Sequence, residues 1–192
     1  MADKNKVMFG ISNLHVGTYN ISSGGTVTLG APYHQKGAVG LSMEPEGDSN
    51  DFYADNTKYW SGYSDQGFTG TVEVAKFDDE FKEQFLNYVE LADGGIAKIK
   101  GASRPNTYVA FQTEGDAQAR RVIMYNVSWA EPQREYNTTE DSTEPATDSS
   151  DITVSGDNDT GITVVTYNPG DSAYNTLFTS PPVPSLPANT TP

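Results

Sequence analysis

The spacing of apolar and polar positions changes period near residue 77. In the segment GFTGTVEVAKF, Phe68, Val72 and Val74 fall on one side of an extended backbone, and Thr69, Thr71 and Glu73 fall on the other. That alternation predicts a half-buried strand over residues 68–75. Phe77, Phe81, Phe85 and Tyr88 or Val89 then recur at helical spacing and form one apolar stripe. Asp78, Asp79 and Glu80 place negative charge at the amino end, where the helix dipole favours it, and Asp93, Gly94 and Gly95 supply a stop. A helix over residues 78–92 is predicted.

The rest of the chain reads as short strands. Segments 7–11, 26–29, 38–43, 51–54 and 59–63 are separated by clusters of Gly, Pro, Asn and Asp. Beyond the helix, residues 96–99 form a short candidate strand, and residues 106–113 face 121–129 across the polar loop EGDAQAR as an antiparallel hairpin. In its second strand Ile123, Tyr125, Val127 and Trp129 alternate with Val122, Met124, Asn126 and Ser128, which predicts one strongly buried face and one more mixed. Residues 131–150 are polar, acidic and interrupted by Pro132 and Pro145, as a long loop or linker is. Strands near 152–154 and 162–167 then close the same sheet or pair with a neighbouring subunit.

A single helix among so many strands predicts a mainly β fold, a β-sandwich or rolled sheet with one flanking α-helix, an extended loop and terminal arms. One domain is expected over residues 1–179, followed by a proline-rich tail over 180–192 that cannot donate a regular hydrogen-bond ladder. The length of 192 residues suits one core. Hydrophobic residues make up 35% and aromatic residues 11%, so a few large rings carry much of the packing. Without cysteine, stability comes from packing or assembly.

The net charge of -14 argues against a protein that grips nucleic acid by neutralising phosphates. Every charge after Arg134 is acidic, which reads as a solvated acidic region or as a surface that repels another polyanion. No apolar run has the length of a signal peptide or a membrane span, so assembly in a cytoplasm is expected. The sequons at Asn20, Asn126, Asn137, Asn158 and Asn189 therefore carry little meaning.

Candidate chemistry is sparse. His15 and His34 lie among turn-forming residues without a ligand at metal spacing, and read as surface or structural. The sequence SGGT over residues 23–26 lacks the lysine of a phosphate loop and reads as a hairpin turn. Asp157 to Gly161 begin like a calcium loop, but Asn168 stands where a glutamate belongs, so a tight glycine-ended turn is expected. With 26 acidic residues, nearness of two carboxylates carries no catalytic signal, and no GxSxG nucleophile motif is present. Neither an enzyme nor a cofactor is expected. The cluster Phe52, Tyr53, Tyr59, Trp60 and Tyr63 has three readings: core packing, subunit interface, or sugar-stacking platform.

Several blocks together carry a resemblance: KVMFGISNLHVGTY, APYHQKGAVGLSMEPEGDSNDFYADN, the stretch from FYADN to VAKFDDEF, GASRPNTYVAFQTEGD with RRVIMYNVSW, and SGDNDTGITVVTYNPGDSAYNTLF. They resemble the major tail tube protein of long-tailed phages with non-contractile tails. The resemblance implies a β-sandwich with a flanking helix whose copies form rings, usually hexameric, that stack into a tube conducting double-stranded DNA. It implies as partners other copies of the chain, the tape measure, terminator and distal tail proteins, and a place in the virion tail. Within that frame Glu73 and Thr71 are candidates to face the lumen, with Glu44 beside Ser42 and Glu114 beside Gln112 as further ones. Phe52, Tyr53, Tyr59, Trp60 and Tyr63 are candidates for the subunit interface. An acidic lumen would repel DNA within a screening length of about 8 Å and let it slide. The other reading is a carbohydrate-binding or adhesion β-module displayed on a virion.

Overall fold

The computed structural model describes residues 10–115, 119–134 and 146–187; the expectations for residues 7–9, for the middle of the acidic excursion and for the last residues of the tail lie outside these. Among the described residues thirteen strands and one helix follow in the order β1 (Ile11–Ile21), β2 (Val27–Leu29), β3 (Tyr33–His34), β4 (Ala38–Glu46), β5 (Ser49–Ala54), β6 (Thr57–Tyr63), β7 (Gly67–Val74), α1 (Asp79–Phe85), β8 (Tyr88–Glu90), β9 (Ile96–Lys98), β10 (Thr107–Thr113), β11 (Arg121–Trp129), β12 (Asp148–Val154) and β13 (Val164–Tyr167). The main sheet runs β2-β1-β10-β11-β12-β7-β4, with β3 added beside β1 and β13 beside β11. It curls until β4 comes back against β1, a rolled sheet as expected.

The inner face of the roll holds the larger core. Val72 and Val74 of β7 meet Ile152 and Val154 of β12, Val127 and Trp129 of β11, Val109 of β10 and Val16 of β1. The helix closes one side of this core, because Phe77, Phe81 and Phe85 all point inward and are buried. The rings of Phe77 and Phe81 stack at 4.8 Å, and Trp129 meets Phe81 edge-on at 5.2 Å. Asp78 caps the helix by accepting from the Phe81 amide at 2.8 Å.

The helix is half the predicted length. It ends at Leu86, because Asn87 takes a left-handed conformation (φ 57°) that an asparagine tolerates and a helix does not. Tyr88 keeps its place against the core, but from strand β8, which pairs with β9. Asp93 to Gly95 therefore close the β8–β9 hairpin and do not stop the helix, with the Leu91 amide bonded to the Gly95 carbonyl at 2.7 Å.

Two further expectations are corrected. The alternation along β11 breaks at Asn126 (φ 56°), a bulge opposite β10 that shifts the pairing by one residue. Met124, Val127 and Trp129 consequently share the inner face, whereas Ile123 and Tyr125 point outward into a second core. Both faces of β11 are buried. The acidic excursion also ends earlier than read: Asp148, Ser149 and Ser150 belong to β12, in continuous register with β7 from Asp148 opposite Val74 to Val154 opposite Phe68.

The second core lies on the outer face of β1, β10 and β11, where Tyr19, Tyr108, Ala110, Ile123 and Tyr125 are covered by Leu177 and its neighbours. Here β1 passes close enough that the Tyr108 ring lies directly over Gly17; a β-carbon at that position would sit 2.4 Å from the ring. The turns expected at residues 23–26 and 157–161 are both formed: the Gly25 amide bonds to the Ser22 carbonyl at 2.9 Å and the Gly161 amide to the Asp157 carbonyl at 2.8 Å.

Candidate functional site

Because paired residues of antiparallel strands share a face, the register of β4, β7 and β12 fixes what their outer side presents. One rung holds Gly40, Glu73 and Ser149, the next Ser42, Thr71 and Asp151, and the third Glu44, Thr69 and Thr153. The intervening residues, Leu41, Val72 and Ile152 among them, turn to the inner core. The result is a polar wall three strands wide, with an open trough lined by Ser42, Glu44, Thr69, Thr71, Asp151 and Thr153. Its carboxylates are Glu44, Glu73 and Asp151, and no lysine or arginine stands on these three rungs. Local bonds hold the wall in shape: the Thr71 hydroxyl donates to Asp151 at 2.8 Å, and the Thr147 hydroxyl donates to Glu73 at 2.5 Å.

Three of the four residues named as candidates to face the lumen lie together: Glu44, Thr71 and Glu73 stand on adjacent strands of one face. Glu114 is not with them. It follows β10, beyond β11 and β12 in the sheet, where it accepts a hydrogen bond from Ser12. Gln112 is likewise engaged elsewhere, its side chain accepting from the Arg121 guanidinium. Asp151, Ser149 and Thr153 were missed by the sequence reading. The alternation of Asp151 and Thr153 with Ile152 and Val154 carries the signal, but the polar, acidic run before them reads as linker.

The second feature is an arm. Beyond the β4–β7 ladder, the Gln66 amide bonds to the Glu46 carbonyl at 2.8 Å and the Ser64 amide to the Asp48 carbonyl at 2.9 Å, so the ribbon continues into β5 and β6. Six residues of β5 extend it by about 20 Å. At its tip Asp55 and Asn56 both have positive φ, 50° and 60°, as a two-residue primed turn requires. Phe52 pairs with Trp60 across one face of the arm, and Tyr53 pairs with Lys58 on the other. Lys58 bonds to Asp51 at 2.8 Å.

The aromatic residues of this arm are not core. Phe52, Tyr53, Tyr59, Trp60 and Tyr63 are between 56% and 77% exposed. That removes the core-packing reading and leaves the two in which a partner covers them. The Trp60 indole folds back over Gly62, whose missing side chain makes room for it.

The histidines do not lie in turns. His15 and His34 face each other across paired strands β1 and β3, with their rings stacked at 4.6 Å. Burial holds the His15 ring below the usual histidine range against the opposing bond to the Asn13 carbonyl, and His34 and Arg121 push it the same way as burial. Among the described residues no group of three or more histidine, aspartate or glutamate side chains is arranged to hold a metal ion. No helix of the described residues is long and apolar enough to cross a membrane.

No protein-family model matches the chain, and no curated protein matches it. Among solved structures, it is similar to a chain of the cryo-EM structure of the anti-feeding prophage cap, the AFP tube terminating cap. The TM-score is 0.49 and the identity 11%, over 88% of this chain and 97% of the other.

Proposed function

We propose that this chain is a structural, non-catalytic subunit of a phage tail tube. Copies close side by side into hexameric rings and the rings stack into a conduit for double-stranded DNA, with the β4–β7–β12 wall facing the lumen. The observation that carries this reading is the arm: a two-stranded ribbon, marginal by itself in water, that exposes five large aromatic side chains with no covering layer among the described residues. Such a surface is built to be covered, and Tyr, Trp and Phe are the residues enriched where a partner does so. β4 ends the hydrogen-bonded path of the sheet, and a strand edge that would be a hazard in a monomer becomes a joint in a ring.

The polar wall fits the role of lining. Glu44, Glu73 and Asp151 repel phosphate, and the serine and threonine hydroxyls among them offer no cation for DNA to adhere to. In this reading the subunit assembles in the host cytoplasm, resides in the virion tail, and meets the tape measure, terminator and distal tail proteins at the ends and inside of the tube. Negative-stain microscopy of the full chain at high concentration tests it. Rings or tubes are expected from the wild type and dispersed particles from the Phe52→Ser, Trp60→Ser variant. Persistent monomers of the wild type at every concentration overturn the reading, and monomers that bind glycans through the arm favour the carbohydrate-binding alternative.

A further inference from the structure

The outer face of β1, β10 and β11 is covered by the segment that follows β13, not by another layer of sheet. Leu177 is fully buried there. The Tyr174 hydroxyl donates to the Ala119 carbonyl at 2.7 Å, and the Tyr125 hydroxyl of the sheet donates to the Pro182 carbonyl at 2.8 Å. Between these two ties runs a column of planar groups. The Arg121 guanidinium donates to the Tyr174 carbonyl at 2.5 Å and lies over the rings of Tyr174, at 4.2 Å, and Phe178, at 4.5 Å. Phe178 in turn stacks on His15 at 4.6 Å and 14°, and His15 stacks on His34 at 4.6 Å and 10°.

We propose that this column is a proton-sensitive latch: charging of His15 releases the segment carrying Tyr174, Leu177 and Phe178 from the outer face of the sheet. The imidazole stacks on Phe178 of the segment and on His34 of β3, so the segment itself supplies one of its two ring contacts. Its Nδ1 donates to the Asn13 carbonyl at 2.8 Å. The groups that act on its charge are His34 on β3 and Arg121 on β11, and both disfavour a second cation. On β10 the residue opposite is the uncharged Ala110, and Glu114 at the end of that strand is held by Ser12. With the segment lifted, water reaches the ring and its affinity for a proton returns toward the ordinary value of 6.5. Release therefore takes up a proton, and by linkage it is favoured as pH falls through that value and opposed above it.

Amide hydrogen exchange of the full chain, corrected for the intrinsic pH dependence of exchange, tests this at about pH 7.5 and about pH 5.5. Protection of the segment over residues 171–182 is expected to fall several-fold on acidification, while that of β7 and β12 changes little. The His15→Phe variant, which keeps a ring in the stack and removes the titration, is expected to show no such fall. Protection that is independent of pH in the wild type, or equally pH-dependent in His15→Phe, overturns the latch. Should that variant fail to fold, the ring titration of His15 followed by NMR decides: in Phe178→Leu its midpoint is expected to rise, and an unchanged midpoint overturns the proposal.

Discussion

The helix side of the core and the β5–β6 arm are both rich in aromatic residues, and they differ in what covers the rings. Phe77 and Phe81 are fully buried and Phe85 is 1% exposed: Trp129 from the sheet meets Phe77 and Phe81 edge-on, Phe85 packs on Phe81 and Tyr33, and Asp78 caps the helix at the Phe81 amide. Phe52, Trp60 and Tyr59 are 59%, 56% and 77% exposed on a ribbon two strands thick. Each buried phenylalanine contributes about 1.5–3 kcal/mol through area removed from water. The rings of the arm contribute little to the fold of the isolated chain, and the surface pair Lys58–Asp51 adds little more. The same residue types thus serve stability in one region and remain available to a partner in the other, and burial, not composition, tells them apart.

The sharpest way to break this comparison is to empty the core side. Phe81→Ala is expected to cost about 3–5 kcal/mol, read as a lowered urea midpoint with an unchanged slope. A loss below about 1 kcal/mol would show that the helix is not part of the core at all. Gly17 and Gly62, each under an aromatic ring, sharpen the contrast further. Gly17→Ala drives a β-carbon to 2.4 Å from the ring of Tyr108, which is buried and tied to the Gly30 carbonyl at 2.9 Å, and is expected to cost about 1–3 kcal/mol. Gly62→Ala meets the Trp60 indole at 2.2 Å, a closer clash on paper, yet that ring is exposed and free to swing aside. Its expected cost is under about 0.5 kcal/mol. Equal costs at the two positions would mean that the arm is packed after all.

Much of this architecture was legible in the sequence, and the misses have local causes. Alternation in β7 placed Val72 and Val74 inward and Thr71 and Glu73 outward, and the helical spacing of Phe77, Phe81 and Phe85 placed all three rings in the core. The helix end was misplaced because Asn87 breaks the helix through its backbone conformation, while Tyr88 and Val89 continue the same apolar spacing from a strand. The faces of β11 were misassigned because a bulge at Asn126 inverts parity, and parity is all that a period-two pattern conveys. The polar wall is half visible: Glu73, Thr71 and Glu44, named as lumen candidates, share its face, whereas Asp151 and Ser149 are hidden by the acidic run before them. The exposure of the arm was invisible to patterning, since Phe52 and Trp60 look the same in sequence whether a core or another molecule covers them.

Alkaline pH probes the core side more gently. Burial is the first cause pushing the phenols of Tyr19, Tyr33, Tyr108 and Tyr125 above their ordinary value of 10.0, and the carboxylates of Asp157 and Asp78 add to it for Tyr19 and Tyr33. These groups stay protonated in the folded chain where the unfolded chain has begun to release their protons. The folded state therefore binds more protons above that value, and its stability, fully present below pH 10, is expected to fall as pH rises further. Urea midpoints at about pH 8, 10 and 11 check this. A flat profile across that range would mean that the buried phenols are reached by water.

The smallest stability effect is expected where the assembly effect is largest. Trp60→Ser removes a ring that is 56% exposed and lies over Gly62 opposite its cross-strand partner Phe52, so the urea midpoint of the monomer is expected to move by less than about 0.5 kcal/mol. If the arm is the joint between copies, the same substitution removes a central aromatic anchor, and such anchors commonly cost about 2 kcal/mol or more on truncation. In a ring each joint is lost in every copy, so sedimentation at rising concentration is expected to stay at the monomer position while the wild type shifts to large species. The two measurements together discriminate: a destabilised monomer would return Trp60 to the core and erase the contrast with Phe81, and unchanged assembly would leave the arm without its partner.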